Sequence, residues 1–345
     1  MTDNRTAETR KSAADQNLTA SVLLPPAHRS HLLQDLLSRY GVVVVWLLMA
    51  GLYSLIVPKT FLTFGTFQTI FGSQSTLVFV VMGAVCVFIV GEFDLSIASI
   101  MGMSATSMAV LTVYVGLPEW LSLILAILIG TVCGAINAYI IVILGIDPIV
   151  TTLGMSVLLL GIAQAIANLQ AVTGLSLALS KIAVTQVLGL PISFFYGLIL
   201  VVVFALVLTL TPLGRHMEFV GANREVARLS GIRVQQIRFG AYVFSGFMSG
   251  IGGVLLAATV GGFDPSTSPS YLLPALAATF LGTAVVMPGK FNPVGAFITI
   301  YFLVTGIVGL QLMGYSGWVS NVFYGAALVI AVTVSSIVRR RVLRR

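Results

Sequence analysis

The sequence predicts an all-α, polytopic integral membrane protein with about ten transmembrane helices and with N- and C-termini in the cytoplasm. Of the 345 residues, 58% are hydrophobic and only 8% are charged, whereas soluble domains carry about 25% charged residues. Stretches such as residues 41–57 and 121–144 contain no charged side chain, and each can cross about 30 Å of hydrocarbon as a helix. The basic residues also collect between only some of these stretches.

The polar ends and the apolar middle divide the chain into three parts. Residues 1–40 are predicted to form a cytoplasmic tail, residues 41–338 a transmembrane domain, and residues 339–345 a basic cytoplasmic C-terminus. The tail lacks the short apolar core of a signal peptide.

Ten apolar segments fill the transmembrane domain. They lie near residues 41–57, 75–91, 96–115, 120–144, 149–170, 192–211, 236–260, 271–287, 293–313 and 317–337. The piece Phe61–Phe71 is too short and too polar for a span, so we interpret it as an interfacial or re-entrant helix.

The basic residues indicate the orientation of these spans. Cytoplasmic loops are enriched in Lys and Arg, and a cytoplasmic N-terminus places 16 of the 18 basic residues inside. Only Lys59 and Lys181 then fall outside. The same bias explains the formal net charge of +7 without a nucleic-acid partner.

One long polar stretch, Leu213–Arg238, separates two spans on the cytoplasmic side. Within it, Glu225 and Arg228 are three residues apart and would share one face of a helix. Gly231 is suited to end that helix. The stretch is either a docking site for another protein or a solvated basic loop, and composition leaves both interpretations open.

A second polar stretch, Gly91–Ser96, lies between two apolar segments. A carboxylate in mid-membrane costs about 3 kcal/mol, so Glu92 and Asp94 must lie at a membrane edge, in a broken helix or against other protein groups. Asp94 or Ser96 suits the N-cap of the next helix. These residues alone favour capping over solute binding.

The stretch Gly91-Glu92-Phe93-Asp94 is echoed by Gly289-Lys290-Phe291-Asn292, at a constant offset of 198 residues. Both are predicted at cytoplasmic ends of spans. Duplicated halves are common among transporters, although four matches in ten positions can also arise by chance.

Small residues recur four apart within three pairs, Gly130 with Gly134, Ser245 with Ser249 and Gly246 with Gly250. This spacing lets membrane helices approach closely. Packing within the chain is favoured over a dimer interface.

The sequence is poor in the groups that catalysis or ion coupling requires. Its three histidines have no ligand-like spacing, and Cys86 and Cys133 lie in apolar runs, so neither a metal nor a cofactor is predicted. There is no G-x-x-x-x-G-K-[ST] phosphate loop, and no Lys or Arg lies deep in a span. The energy source is therefore expected on another subunit.

Three stretches match motifs that occur together in one family. Gly91–Ser99 is similar to its G-[GE]-x-D-L-S-x-G-S signature, and Gly221–Ile232 to its cytoplasmic G-x-N-x-x-A-A-x-L-S-G-I segment. Pro288–Ala296 is similar to its glycine-rich turn before the penultimate span. On these motifs the chain resembles the ribose/xylose/galactose-type permeases of bacterial ABC importers, over nearly all residues after 40.

The resemblance implies a permease subunit that translocates a sugar or sugar-like solute across the bacterial inner membrane. Its implied partners are cytoplasmic ABC ATPase subunits, a periplasmic solute-binding protein and a second permease copy, identical or paralogous. It makes Leu213–Arg238 the ATPase-coupling segment, with Ala227 and Leu229 packing against the ATPase. The coupling residues are then Gly221, Asn223, Glu225, Ala227, Arg228 and Gly231, and the candidates for the solute path are Glu92, Asp94, Ser96 and Asn292.

Departures from the family pattern bear on the solute more than on the fold. They are Ala98, Val226, Pro274 and the run Lys290-Phe291-Asn292. Nucleosides, autoinducer-like sugars and branched-chain amino acids remain alternative solutes. A secondary transporter is disfavoured by the lack of deep ionisable groups, and a membrane enzyme by the lack of a catalytic constellation.

Overall fold

The structure, a computed structural model, describes residues 29–315 and 317–343. The predicted tail therefore lies mostly outside the described residues, as do the last two residues of the C-terminus. The chain divides into two units, Met1–Ser38 and Arg39–Arg345, and the second holds the helical bundle.

The bundle is almost entirely α-helical. Its helices, numbered in chain order, are α1 (Arg29–Ile56), α2 (Pro58–Phe61), α3 (Phe64–Gly72), α4 (Ser75–Ile89), α5 (Ile97–Val113), α6 (Glu119–Ala138), α7 (Pro148–Ile166), α8 (Leu177–Val184), α9 (Ile192–Leu210), α10 (Pro212–Ala222), α11 (Arg224–Leu229), α12 (Val234–Val260), α13 (Leu272–Leu281), α14 (Pro293–Leu312) and α15 (Trp318–Leu343).

Short irregular elements lie between the α-helices. A π-helical turn, Tyr139–Ile143, extends α6, and 3₁₀ segments occupy Pro265–Tyr271 and Gly282–Ala284. Two antiparallel pairs of two-residue strands join β1 (Val172–Thr173) to β4 (Gly262–Phe263), and β2 (Gln186–Val187) to β3 (Leu190–Pro191).

Seven candidate spans among the described residues are long and apolar enough to cross a membrane, which confirms the prediction of a polytopic helical membrane protein. One of them joins α3 to α4, so most of the Phe61–Phe71 piece belongs to a helix that leads into a span. Helix α5 and the apolar part of α15 are shorter. The predicted span at 271–287 is helical only over α13, because a 3₁₀ turn follows it.

Local chemistry sets several helix boundaries. Asp147 accepts hydrogen bonds from the first turn of α7, and Pro148 follows it, where the missing N–H of proline is not needed. Asn292 and Pro293 repeat this arrangement at α14. At the end of α12, Gly261 adopts a φ of 77°, a left-handed conformation that glycine adopts readily.

Helix α4 forms the centre of the bundle, since every residue from Ser75 to Ile89 is buried. A helix that is apolar on all sides is stable only when other helices surround it. Helix α12 packs against α4, α5 and α6, so it connects the centre to the periphery.

Glycines allow α6 and α12 to touch at their backbones. A Cβ added to Gly134 would lie 2.9 Å from the Cα of Gly246, and one added to Gly130 would lie 2.9 Å from the Cα of Gly250. Both distances are too short for real side chains. The predicted packing within the chain is confirmed for these two pairs.

Candidate functional site

The loop Gly91–Ser96 connects α4 to α5 at one end of the bundle, which we call the Glu92 end. Gly91 turns the chain with a φ of 74°. Glu92, Asp94 and Ser96 are each no more than 1% exposed. Buried polar groups need partners, so their surroundings define what the loop can do.

Asp94 is held by hydroxyl and backbone donors. One oxygen, Oδ1, accepts from the backbone N–H of Ser96 at 2.9 Å and from its hydroxyl at 2.6 Å. The other, Oδ2, accepts from the hydroxyl of Ser245 in α12 at 2.9 Å. Burial raises the pKa of the Asp94 carboxyl, although these hydrogen bonds lower it. In the described part of the chain no basic side chain is in ion-pair contact with it.

The expectation that Asp94 or Ser96 caps α5 is wrong. Ser96 occupies the N-cap position, but its side chain accepts no hydrogen bond from the helix. Its hydroxyl donates to Asp94 and accepts from the amide of Asn137 in α6 at 2.8 Å. The backbone N–H of Leu95 donates to the hydroxyl of Thr152 in α7 at 3.1 Å. The loop therefore ties three helices together instead of capping one.

Glu92 forms the second half of this loop's polar network. Its carboxylate pairs with Arg224 at 2.8 Å and with Arg238, and it accepts from the hydroxyl of Tyr242 at 3.3 Å. Arg224 also donates to the backbone oxygen of Gly91 at 2.8 Å. Two guanidinium groups compensate the burial of one carboxylate, which unpaired would cost several kcal/mol.

Both arginines belong to the predicted coupling segment, Leu213–Arg238. Asn223 caps α11 through hydrogen bonds from the N–H groups of Glu225 and Val226, both 3.1 Å long. Gly231 has a φ of 80° and ends the helix, as the sequence predicts. The N–H of Gly231 donates to the Arg228 carbonyl and that of Ile232 to the Ala227 carbonyl, the pattern of a Schellman cap.

Gly221, at the end of α10, touches the end of α4. A Cβ at this position would overlap the backbone oxygen of Ile89 and would lie 3.3 Å from the nitrogen of Gly91. Only glycine leaves room for this contact, so α10 is fixed against the central helix at backbone level.

Helix α11 has one exposed, charged face and one face that is buried within the chain. Glu225 and Arg228 form an exposed ion pair of 2.8 Å on one face, as their spacing predicts. Ala227 is fully buried within the chain, whereas Leu229 is 83% exposed. Ala227 therefore packs α11 against its own subunit. The expectation that its methyl group enters a groove of a partner is wrong.

Asn292 lies in the second, echoed loop, before α14. Its Oδ1 accepts from the N–H of Gly295 at 2.6 Å, and its amide donates to the carbonyls of Gly282, Val285 and Lys290. It thus holds the break after α13 against the start of α14.

The two echoed loops have similar local geometry. Gly91 and Gly289 both adopt positive φ. Lys290, at the position equivalent to Glu92, forms an ion pair of 2.6 Å with Glu218 of α10. The segment Leu213–Arg238 is therefore bound at both loops, with the charges reversed.

The structure brings Glu92, Asp94 and Ser96 together and places Asn292 in the other loop. Sequence reasoning missed their partners Arg224, Arg238, Tyr242 and Ser245. The signal available for the arginines is a general one, because buried carboxylates are usually paired and Leu213–Arg238 holds five arginines.

Among protein families, the model of the permease component of branched-chain amino acid transport systems matches residues 66–332. The chain belongs to this family of membrane permeases, which are transport proteins and not enzymes. Together with the relatives described next, the match confirms the predicted resemblance to sugar-type ABC permeases and the inner-membrane location.

Three relatives show the level of similarity. The autoinducer 2 import system permease protein LsrD of Escherichia coli K12 is 32% identical over 274 residues, covering 76% of this chain and 83% of its own length. That of Shigella flexneri has the same values. That of Salmonella paratyphi B is 30% identical over 276 residues, covering 76% and 82%. No solved structure matches the chain.

Proposed function

We propose that this protein is the permease subunit of an ABC importer that carries a sugar or sugar-like solute across the bacterial inner membrane. Separate ATPase subunits in the cytoplasm supply the energy, and a periplasmic binding protein delivers the solute. A second permease copy completes the path. The relatives named for autoinducer 2 import support the solute class.

A single observation supports the coupling mechanism: Glu92, fully buried at the end of the central helix, is paired with two arginines of the cytoplasmic segment. A force on α10 and α11 reaches the membrane helices through this carboxylate and through the Gly221 contact. The exposed pair Glu225–Arg228 and the exposed Leu229 are available to the ATPase.

The four candidates for the solute path take a different role in this proposal. Glu92, Asp94, Ser96 and Asn292 are buried against protein groups. They position the loops that move when the ATPase acts, so their substitution would affect transport through coupling.

The test is reconstitution of the permease with the ATPase and binding protein of its own importer. We expect Glu92→Gln to lower solute-stimulated ATP hydrolysis and uptake of autoinducer 2 or ribose, while the ATPase still co-purifies. Glu119→Gln is the matched control, because Glu119 is a carboxylate at the opposite end of the bundle that bonds to Ser176. Equal coupling in both variants would contradict the mechanism.

A second candidate solute follows from the family description, which names branched-chain amino acids. Uptake of leucine, without uptake of any sugar, would replace the proposed solute class and leave the subunit assignment intact.

A further inference from the structure

A cavity of about 520 Å³ lies at the end of the bundle opposite to the Glu92 end. It forms where α4 begins, α12 ends, and the segment Pro265–Tyr271 meets α13 and α15. Its volume falls within the range of about 300–1,000 Å³ typical of small-molecule sites. None of the residues of the Glu92 network lines it.

Polar side chains from several elements converge on this cavity. Those that matter here are Gln74, Asp264, Thr267, Tyr271, Asn321 and Tyr324. Asp264 uses Oδ1 for the N–H and hydroxyl of Ser266, at 2.9 and 2.8 Å, which leaves Oδ2 for another donor. Across residues 29–315 and 317–343, the structure gives no protein partner to the amide of Asn321 or to the hydroxyls of Tyr271 and Tyr324.

This set of groups fits a polyhydroxylated molecule. A sugar presents hydroxyls that donate and accept, and the cavity offers a carboxylate acceptor, amides with both functions and phenol donors. The rings of Phe263, Tyr271 and Tyr324 supply apolar surface, which suits the C–H face of a sugar ring.

The same lining is unsuited to an amino acid. A free α-carboxylate is best bound by Arg, Lys or a cluster of N–H donors, and neither Lys nor Arg is among the residues that line the cavity. Pro274, one of the departures from the family pattern, lies in the wall.

We propose that this cavity is a binding site for a small neutral polyol. The transported solute occupies this site on its way through the permease. The solute class rests on the proposed function, but the position of the site rests on the cavity and its free polar groups. Asp264 and Asn321 bond to the hydroxyls, and the tyrosines cover the ring.

Protection of a cysteine from labelling tests the proposal without requiring transport. Ser320→Cys introduces a thiol on the cavity wall, at a residue that the proposal gives no part in binding the solute, whereas the native Cys86 and Cys133 are buried. Gln170→Cys is the control, because Gln170 is exposed at the same end of the bundle and is not among the residues that line the cavity. The purified protein in detergent is labelled with a maleimide, with D-ribose, D-galactose, autoinducer 2 or L-leucine present.

We expect at least one of the sugar-type probes to slow labelling at position 320 and not at position 170. At ten times its dissociation constant, a ligand leaves about one site in eleven open, so labelling slows about tenfold. Ser270→Cys, exposed on the cavity wall, replaces the first variant if that protein does not fold.

Two results would overturn the proposal: no protection by any sugar-type probe, or protection by leucine alone. Measuring the uptake of the same probes by cells distinguishes a failure of the cavity proposal from a failure of the proposed function. Sugar uptake without protection removes the cavity site only, whereas leucine uptake without sugar uptake removes the proposed solute class.

Discussion

Glu92 and Arg238 are 146 residues apart in the sequence, and their side chains form an ion pair inside the bundle. The Glu92 side chain is fully buried and that of Arg238 is 16% exposed. The pair joins the end of the central helix α4 to the start of α12, the helix that packs against α4, α5 and α6.

Removing this carboxylate should destabilise the protein strongly. Glu92→Ala leaves Arg224 and Arg238 without their partner, and breaking a buried pair costs about 3–5 kcal/mol. We expect a clear fall in the thermal midpoint of the purified protein, with a smaller fall for Glu92→Gln, which keeps a hydrogen-bond acceptor. A wild-type midpoint for Glu92→Ala would show that the pair contributes little.

The Lys290–Glu218 pair should behave differently. Its side chains are 60% and 47% exposed, and exposed pairs contribute about 0–1 kcal/mol. Glu218→Lys should therefore leave the thermal midpoint nearly unchanged while lowering uptake, because the second loop loses its tie to α10. The swapped protein, Glu218→Lys with Lys290→Glu, should recover uptake. No recovery would mean that the charges act independently.

Asp94 should tolerate the loss of its charge but not of its hydrogen bonds. The side-chain oxygen of asparagine can accept from Ser96 and its amide can donate to the hydroxyl of Ser245, so both contacts of the Asp94 side chain are kept. We expect Asp94→Asn to retain most uptake and Asp94→Ala to lose it, because alanine leaves buried donors unsatisfied at about 1–3 kcal/mol each. If Asp94→Asn abolishes uptake in protein that still assembles, the charge itself is required.

Two glycines provide a matched test of the contact between α10 and α4. Gly221→Ala places a methyl group against the backbone of Ile89, whereas Gly240 in α12 has open space where its Cβ would be. Overpacking of this kind costs about 1–3 kcal/mol. We expect Gly221→Ala to reduce ATPase co-purification and uptake, and Gly240→Ala to leave both unchanged. Equal behaviour would contradict the close contact.

The orientation of the bundle can be tested at its two ends. Cysteines at Ser230 and Gln170, both exposed, should respond oppositely to a membrane-impermeant maleimide in intact cells. The charge bias predicts labelling at 170 and protection at 230. The reverse pattern would invert the predicted topology.

Much of the fold was predictable because lipid imposes simple requirements. Ten apolar segments were placed from length and charge alone, and a helix occurs at each of them. The break after α13 was not predicted, since Leu281 and Gly282 continue an apolar run and the turn depends on Asn292 bonding to the Gly282 carbonyl. Contacts between distant segments leave no local pattern.

The sequence predicts which residues form the site but not which side chains they contact. The motif identified Glu92 and Asp94, and the cap residues Asn223 and Gly231 follow from local rules. Nothing in the sequence pairs Glu92 with Arg238 specifically, because any of five arginines in the segment could have served. The burial of Ala227 was missed because a six-residue helix has too few positions to reveal which face is covered.

The backbone contact between Gly246 and Gly134 would act as the pivot if α12 turned as a rigid body. Gly246 is eight residues from Arg238 and fourteen from Val260, or about 12 Å and about 21 Å along the axis. A rigid rotation of α12 about that contact would move Val260 almost twice as far as Arg238, in the opposite direction. Val260 lines the distal cavity, so a push of about 1 Å at the arginine would shift the cavity wall by about 2 Å.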